Sequence, residues 1–203
     1  MERTEKIQTI GGKVIEPILK ERLTEIQNYF WDYRTPILEG FQKQIKLLCE
    51  KAYELQKNHQ KEAIQFLSIS YLRRCVYTKK YEIRMDLYNK NFYLDSCKIY
   101  EYWDMEFLFQ FFLMDIDDVW KQICSKNPPL FIQVQDYEEK EFALWYIRHY
   151  YKIAELFFQD QIPNILQQEE FQLLKKEENY FVLYGGYMEE QKILFSSEGS
   201  SVK

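Results

Sequence analysis

The sequence predicts a predominantly helical α+β fold, a bundle of about six helices that carries two small β-hairpins at about 81–94 and 180–195. Three observations support this prediction. The 203 residues are 46% hydrophobic and 29% charged, a balance typical of a globular protein with a buried core. Glycine and proline are scarce, with six and five residues, which disfavours a turn-rich all-β fold. Apolar residues recur at intervals of three and four over much of the chain, which is the period of a helix.

The domain organisation follows from the composition along the chain. We expect a single globular domain over 13–195, with disordered tails at 1–12 and 196–203. The first 13 residues mix acids with bases and contain no apolar run, so they resemble neither a secretory signal nor a basic transit peptide. The place for a subdomain break is 127–129, because two consecutive prolines there donate no backbone hydrogen bond.

Three helices are predicted in the first 80 residues. The first covers 14–30, with Pro17 in its first turn. The second follows Thr35 and Pro36, a pair typical of a helix start, and extends to about Leu55. A third helix is expected from Asn58 to about Tyr77, because apolar residues recur there at helical spacing: Ile64, Leu67, Tyr71, Leu72 and Cys75.

The period then changes from helical to alternating. Apolar and polar residues alternate over 81–87, and a second aromatic run follows at 92–94, which together predict the first hairpin. The second hairpin, 180–195, surrounds Gly185 and Gly186, where we expect a glycine bulge or a close approach of two chain segments.

The remaining segments are predicted to be helical. Residues 105–114 are apolar on nearly every side, so this helix is expected to be either the most buried one or part of a homodimer interface. A further turn or helix follows and ends near Cys124. A long helix is expected over 137–159, and another from Pro163 is expected to pair with it in antiparallel fashion.

Charge and cysteine spacing exclude several classes of protein. A net charge of −5 and a pI near 5.3 make duplex nucleic acid an improbable partner. No apolar stretch approaches the roughly 20 residues of a membrane-spanning helix, so we expect no membrane partner. The four cysteines have neither zinc-site spacing nor a nearby histidine. Free thiols in a reducing cytoplasm are therefore expected.

Catalytic and cofactor motifs are missing from the sequence. No glycine-rich phosphate loop, nucleophile elbow or histidine metal motif occurs, so no metal and no cofactor is predicted. The acidic run Asp115, Asp117 and Asp118 is interpreted as helix capping. An acid–base role remains for His149 with Glu141; the alternative is a local contact of His149 on the flank of its helix.

The strongest local asymmetry is one of charge. Residues 73–84 carry a net charge of +4, whereas 95–118 carry −6. One interpretation is an internal ion-pair network, in which one of Arg73 and Arg74 is buried against an acid of 95–118. The other is a site for an anion or a protein partner. The candidate residues are Arg73, Arg74, Lys79, Lys80 and Arg84.

Aromatic residues make up 18% of the chain, including 17 tyrosines and 15 phenylalanines. They indicate either a thick aromatic core or a recognition surface. Our first hypothesis is a cytoplasmic, noncatalytic protein-binding or regulatory protein that acts through an aromatic and arginine-bearing surface, with a protein or a second copy of itself as partner. The alternative is an enzyme or binding protein for an anionic small molecule that uses Arg73, Arg74 and Arg84.

Overall fold

The computed structural model describes residues 3–126 and 136–199, which contain six α-helices and five β-strands. The α+β class with predominant helix is therefore confirmed. The helices are α1 (Arg3–Asp32), α2 (Arg34–Lys57), α3 (Cys75–Thr78), α4 (Glu106–Lys126), α5 (Asp136–Gln167) and α6 (Glu169–Gln172). The strands are β1 (Ile64–Tyr71), β2 (Glu82–Tyr88), β3 (Ile99–Asp104), β4 (Lys176–Gly186) and β5 (Gln191–Ser196).

The five strands form one mixed sheet in the order β3-β2-β1-β4-β5. Strand β1 pairs antiparallel with β2 and parallel with β4, and the two outer pairs are antiparallel. The two predicted hairpins are thus not separate units, because β1 joins them into one sheet. The first was also misplaced: Phe92–Leu94 forms a 3₁₀ turn, and the partner of β2 is β3.

The predicted third helix is wrong, because Ile64–Tyr71 is the central strand β1. Both faces of this strand are covered. Leu67 and Ile69 are buried on one face, and Ser68 and Ser70 are fully buried on the other. Apolar and polar residues do alternate over Leu67, Ser68, Ile69, Ser70 and Tyr71, but this run is short, and the wider set of apolar residues from Ile64 to Cys75 also fits a helical spacing. Only the four-residue α3 remains helical in this region.

The first helix is longer than predicted. Helix α1 begins at Arg3, so residues 3–12 form its first turns rather than a tail, and Pro17 lies inside the helix. The reason is tertiary packing: a Cβ at Gly11 would lie only 2.6 Å from Cε2 of Phe142 in α5. This glycine therefore permits a close helix contact. Helix α2 confirms the second predicted helix, with its start moved to Arg34.

The later helices are more continuous than predicted. Helix α4 extends to Lys126 without a second start, and α5 extends through Pro163 to Gln167. The predicted antiparallel pair beginning at Pro163 is therefore wrong. At the carboxyl end, β5 ends at Ser196 and a 3₁₀ turn follows at Ser197–Gly199. The predicted break at 127–129 lies outside the described residues.

One continuous hydrophobic core contains residues from α1 through β4. Helix α4 enters this core with Leu108, Phe109 and Phe112, each at most 2% exposed, so the apolar segment 105–114 is buried on one side. Its open side carries Leu113 and Met114, which are 41% and 61% exposed. Over residues 3–126 and 136–199, no helix combines the length and hydrophobicity needed to cross a membrane.

Candidate functional site at the carboxyl ends of the parallel strands

A cavity of about 580 Å³ lies at the carboxyl ends of the two parallel strands, β1 and β4, and we call it the end pocket. The middle of α5 and the start of β5 complete its lining. The polar and aromatic side chains that line it are Tyr71, Arg73, Arg148, Tyr151, Lys152, Glu155, Tyr184, Glu190, Gln191 and Lys192.

The position of the end pocket follows from the strand order. The chain leaves the carboxyl end of β1 toward β2 on one side, and leaves the carboxyl end of β4 toward β5 on the other. In open α/β sheets, such a divergence opens a crevice outside the carboxyl ends of the strands, where ligands bind. The two central strands of this mixed sheet have the same arrangement. The topology therefore places a crevice where the cavity is found.

Four cationic side chains from three parts of the chain converge on the end pocket: Arg73 after β1, Arg148 and Lys152 on α5, and Lys192 on β5. Lys152 and Lys192 share one partner, Glu155, at N···O distances of 3.2 and 2.5 Å. Arg73 pairs with Glu189 at 2.5 Å and remains 66% exposed. Within the described part of the chain, Arg148 has no ion pair.

Glu155 fixes the two lysines at the mouth of the end pocket. The hydrogen bond from Lys192 is the largest cause that lowers the pKa of the Glu155 carboxyl, and the hydrogen bond from Lys152 lowers it further, although burial acts in the opposite direction. This carboxylate is therefore ionised at neutral pH. The lining has four positive charges and two carboxylates, Glu155 and Glu190, so cations outnumber anions.

Tyrosines form the apolar side of the end pocket. The rings of Tyr71 and Tyr151 stack with centroids 3.8 Å apart and an interplanar angle of 10°. The Tyr184 hydroxyl donates to the Tyr151 carbonyl at 2.8 Å, and the Tyr151 hydroxyl lies 2.9 Å from Cys75 Sγ. Burial raises the pKa of all three phenols. These tyrosines are consequently neutral near pH 7 and do not act as bases there.

Gly185 lets Gln191 reach from the end pocket into the sheet. A Cβ at Gly185 would lie 2.6 Å from the Glu190 carbonyl oxygen and 2.9 Å from Gln191 Cα. The side-chain amide of Gln191 donates through Nε2 to Ser70 Oγ at 2.8 Å and accepts at Oε1 from Ser68 Oγ at 2.9 Å. The expected close approach at the two glycines is therefore found.

Arg84 lies in a different environment, on the opposite side of the sheet. Its guanidinium carbon is 4.0 Å from the ring centroid of Tyr100 and 4.4 Å from that of Tyr187. It donates to both carboxylate oxygens of Asp86, at 2.7 to 3.0 Å, and Asp86 is fully buried. We call this surface the tyrosine face; it comprises Ser68, Ser70, Arg84, Asp86, Tyr88, Tyr93, Tyr100 and Tyr187.

The predicted basic cluster is thus divided. Arg73 lines the end pocket and Arg84 lies in the tyrosine face. Arg74, directly before α3, and Lys79 and Lys80, directly after it, are exposed and line neither region. The expectation of one buried arginine in the pair Arg73 and Arg74 is wrong, because both are exposed. The buried arginine is Arg84, whose side chain is 12% exposed.

The acids of 95–118 that form ion pairs do so with residues outside the basic cluster, contrary to the ion-pair interpretation. Asp95 pairs with Lys61, Asp115 with Arg22, and Glu101 with Lys51. Asp115 also accepts hydrogen bonds from two buried tyrosines, Tyr146 and Tyr150, at 3.4 and 3.2 Å. These acidic residues therefore stabilise contacts with α1, α2 and the loop before β1.

The predicted acid–base residues are not brought together. His149 is half-buried, burial lowers its pKa, and its ring lies edge-on to Trp145 with centroids 5.6 Å apart. Glu141 is exposed and accepts a hydrogen bond from Thr4 Oγ1 at 3.4 Å. Neither residue lines the end pocket. This geometry favours the local alternative for His149.

Several site residues were missed in the sequence. Arg148 and Lys152 stand four residues apart on α5, a spacing that places both on one helix face, so their pairing was detectable. Lys192 and Gln191 had no local signal, because only the pairing of β4 with β5 brings them to α5.

No cluster of three or more histidine, cysteine or acidic side chains suited to a metal occurs in the described ranges. The four cysteines are free thiols, with Cys49 and Cys75 buried. Comparisons with protein-family models, with curated proteins and with solved structures find no match for this chain.

Proposed function

We propose that the protein binds an anionic small molecule in the end pocket. The observation that carries this proposal is the convergence of four cationic side chains from three separate elements on one cavity, with Arg148 left without an ion pair in the described residues. An arginine without a carboxylate partner is suited to bidentate binding of a carboxylate or phosphate.

The lining also indicates the rest of the ligand. The stacked Tyr71 and Tyr151 rings, with Leu144 and Ile147, give the pocket an apolar wall beside its cations. A ligand with one anionic group and one aromatic or aliphatic part satisfies both sides. Because the tyrosines are neutral and the hydroxyls of Tyr151 and Tyr184 already have partners within the fold, binding without chemistry is the function we favour.

Isothermal titration calorimetry with phenyl phosphate tests the proposal. We expect Arg148→Ala to weaken binding by about tenfold or more, as for the loss of a charge-assisted hydrogen-bond pair. Arg74→Ala is the matched control, because Arg74 is an exposed arginine of the same region that does not line the pocket. Its affinity should equal that of the wild type.

The outcomes are distinct. Equal weakening by both variants indicates only a general effect of surface charge and contradicts a site at the end pocket. Absence of binding for phenyl phosphate, benzoate and inorganic phosphate at millimolar concentration also contradicts it. Weakening by Arg148→Ala alone supports it.

A second candidate function, self-association, retains our first hypothesis of an aromatic and arginine-bearing interaction surface. Exposed apolar side chains surround the tyrosine face, namely Leu94, Tyr100, Met188 and Ile193, which are 43% to 88% exposed. A second copy of the chain is the partner we propose for them, in a cytoplasm whose reducing conditions suit the four free thiols. Light scattering over a concentration series should detect a dimer that Ile193→Glu dissociates. A monomer at all concentrations contradicts this candidate.

A further inference from the structure

The sheet has a second recess, which is independent of the end pocket. A groove of about 720 Å³ separates the edge strand β3 from helix α2. Its α2 wall contains Glu50 and Glu54, and its strand wall extends from Lys98 to Tyr102. A helix beside an open strand edge leaves a recess that an extended peptide can enter by adding a strand to that edge.

The outer edge of β3 has unused hydrogen-bonding groups. Strand β3 pairs only with β2, and no other hydrogen bond from the described residues reaches the main chain of Ile99–Asp104. In an edge strand, alternate residues direct their N–H and C=O groups away from the sheet. These groups are a template for one more strand.

The charged residues that line the groove indicate which peptide sequences it favours. Glu50, Glu54 and Glu101 line it together with Lys51 and Lys98. Lys51 is already paired with Glu101. Glu50 and Glu54 have only exposed lysine partners on their own helix, at 3.8 and 3.5 Å, and such pairs are weak. Both carboxylates are therefore available to an incoming cation.

The spacing of these carboxylates matches that of a strand. Residues four apart on a helix are separated by about 6 Å along its axis. Alternate residues of a strand, which share one face, are separated by about 6.6 Å. A strand with basic residues at alternate positions can therefore present one to Glu50 and the next to Glu54.

We infer that this groove binds an extended peptide segment as a sixth strand on β3, with lysine or arginine at alternate positions toward α2. Main-chain hydrogen bonds to β3 supply a part of the affinity that does not depend on sequence, and the two glutamates supply the preference for basic residues. This site does not depend on the anionic ligand proposed for the end pocket.

The probe is the hexapeptide acetyl-Lys-Val-Lys-Val-Lys-Val-amide, titrated into the full chain by calorimetry. We expect saturable binding, together with slowed amide hydrogen exchange over 99–104. The same peptide N-methylated at every residue lacks the main-chain donors and should not bind. The double variant Glu50→Lys/Glu54→Lys should weaken binding by about tenfold or more.

Glu39→Lys is the matched control, because Glu39 is an exposed glutamate on the same helix outside the groove. It should leave the affinity unchanged. The inference is overturned if the hexapeptide does not bind at millimolar concentration, if the N-methylated peptide binds equally well, or if binding leaves exchange over 99–104 unaltered. If Glu39→Lys weakens peptide binding as much as the double variant does, Glu50 and Glu54 are not the residues that bind the basic side chains.

Discussion

The end pocket and the tyrosine face each contain an arginine from one short basic stretch, but the two arginines differ in their partners. Arg84 is held between two tyrosine rings and donates to the buried Asp86 beside it on the same strand. Arg73 is exposed and pairs with the half-buried Glu189 in the β4–β5 turn, and Arg148, which lines the same pocket, has no ion pair within the described ranges.

The two arginines therefore differ in how far carboxylate partners within the fold neutralise their surroundings. On the tyrosine face, Arg84 donates to both carboxylate oxygens of the buried Asp86, so Arg84 serves the fold by compensating a buried charge. At the end pocket, positive charges exceed negative ones in a lined cavity. Substitutions in the two regions should therefore differ in their effects on stability and on ligand binding.

The largest effect is expected for Arg84→Ala. This change leaves the Asp86 carboxylate buried without its cation, and we expect a loss of about 3–5 kcal/mol in the free energy of unfolding at pH 7. Urea denaturation followed by circular dichroism measures it. A loss below about 1 kcal/mol, the size expected for an exposed ion pair, removes the distinction between the two arginines. The double change Arg84→Met/Asp86→Leu should recover much of the loss, since no unpaired charge remains.

A smaller loss is expected for Gly185→Ala, at the border of the two regions. The added methyl group meets backbone atoms of Glu190 and Gln191, so the β4–β5 turn must shift, at a cost of about 1–3 kcal/mol. The shift also moves Gln191, which should weaken phenyl phosphate binding. Gly12→Ala is the control: no atom lies within 4 Å of its added Cβ, and a helical position gains up to about 1 kcal/mol. An equal change in the free energy of unfolding for Gly185→Ala and Gly12→Ala contradicts the close approach assigned to Gly185.

Arg148→Ala should change stability by no more than about 0.5 kcal/mol, because its exposed guanidinium makes no ion pair with the residues that the structure describes. The same urea titration measures this. Together with its expected effect on binding, this result separates a ligand-binding arginine from a structural one. A loss comparable with that of Arg84→Ala shows instead that Arg148 supports the fold.

The smallest effect concerns His149, which lies beside Arg148 but is half-buried. Burial lowers its pKa below the ordinary value of 6.5, so the unfolded chain takes up the proton first as the pH falls. Its contribution to stability is complete above pH 6.5 and is lost as the pH falls toward the lower folded-state pKa. Between pH 7.5 and 5, the wild type should therefore lose more stability than His149→Gln. Urea titrations at both pH values measure this difference, and equal losses of stability in the wild type and in His149→Gln contradict the prediction.

The sequence predicted the amphipathic helices better than the sheet. Helix α2 has one solvent-facing side, so its apolar residues follow the helical period. Strand β1 is covered on both faces by residues from distant segments, and Ile64, Leu67 and Tyr71 match a helical spacing by coincidence. The aromatic run at 92–94 resembled a strand, but Phe92 has a positive φ of 51° and turns the chain.

The candidate site was predictable only in part. Arg73 was identified because basic residues cluster locally in the sequence. The spacing of Arg148 and Lys152 puts them on one helix face, but no local pattern showed that this face meets the ends of β1 and β4. Lys192 and Gln191 reach the site through long-range strand pairing, which the spacing of residues along a single segment does not encode.

The parallel pairing of β1 with β4 also has a consequence during protein synthesis. Ile69 pairs with Tyr184, and the lysine and glutamine that complete the end pocket lie at 192 and 191. A ribosome must therefore translate the chain as far as Tyr184 before the two central strands can meet. A nascent polypeptide that has not yet released β5 from the exit tunnel has no end pocket, so any ligand of that pocket can associate only after β5 has emerged.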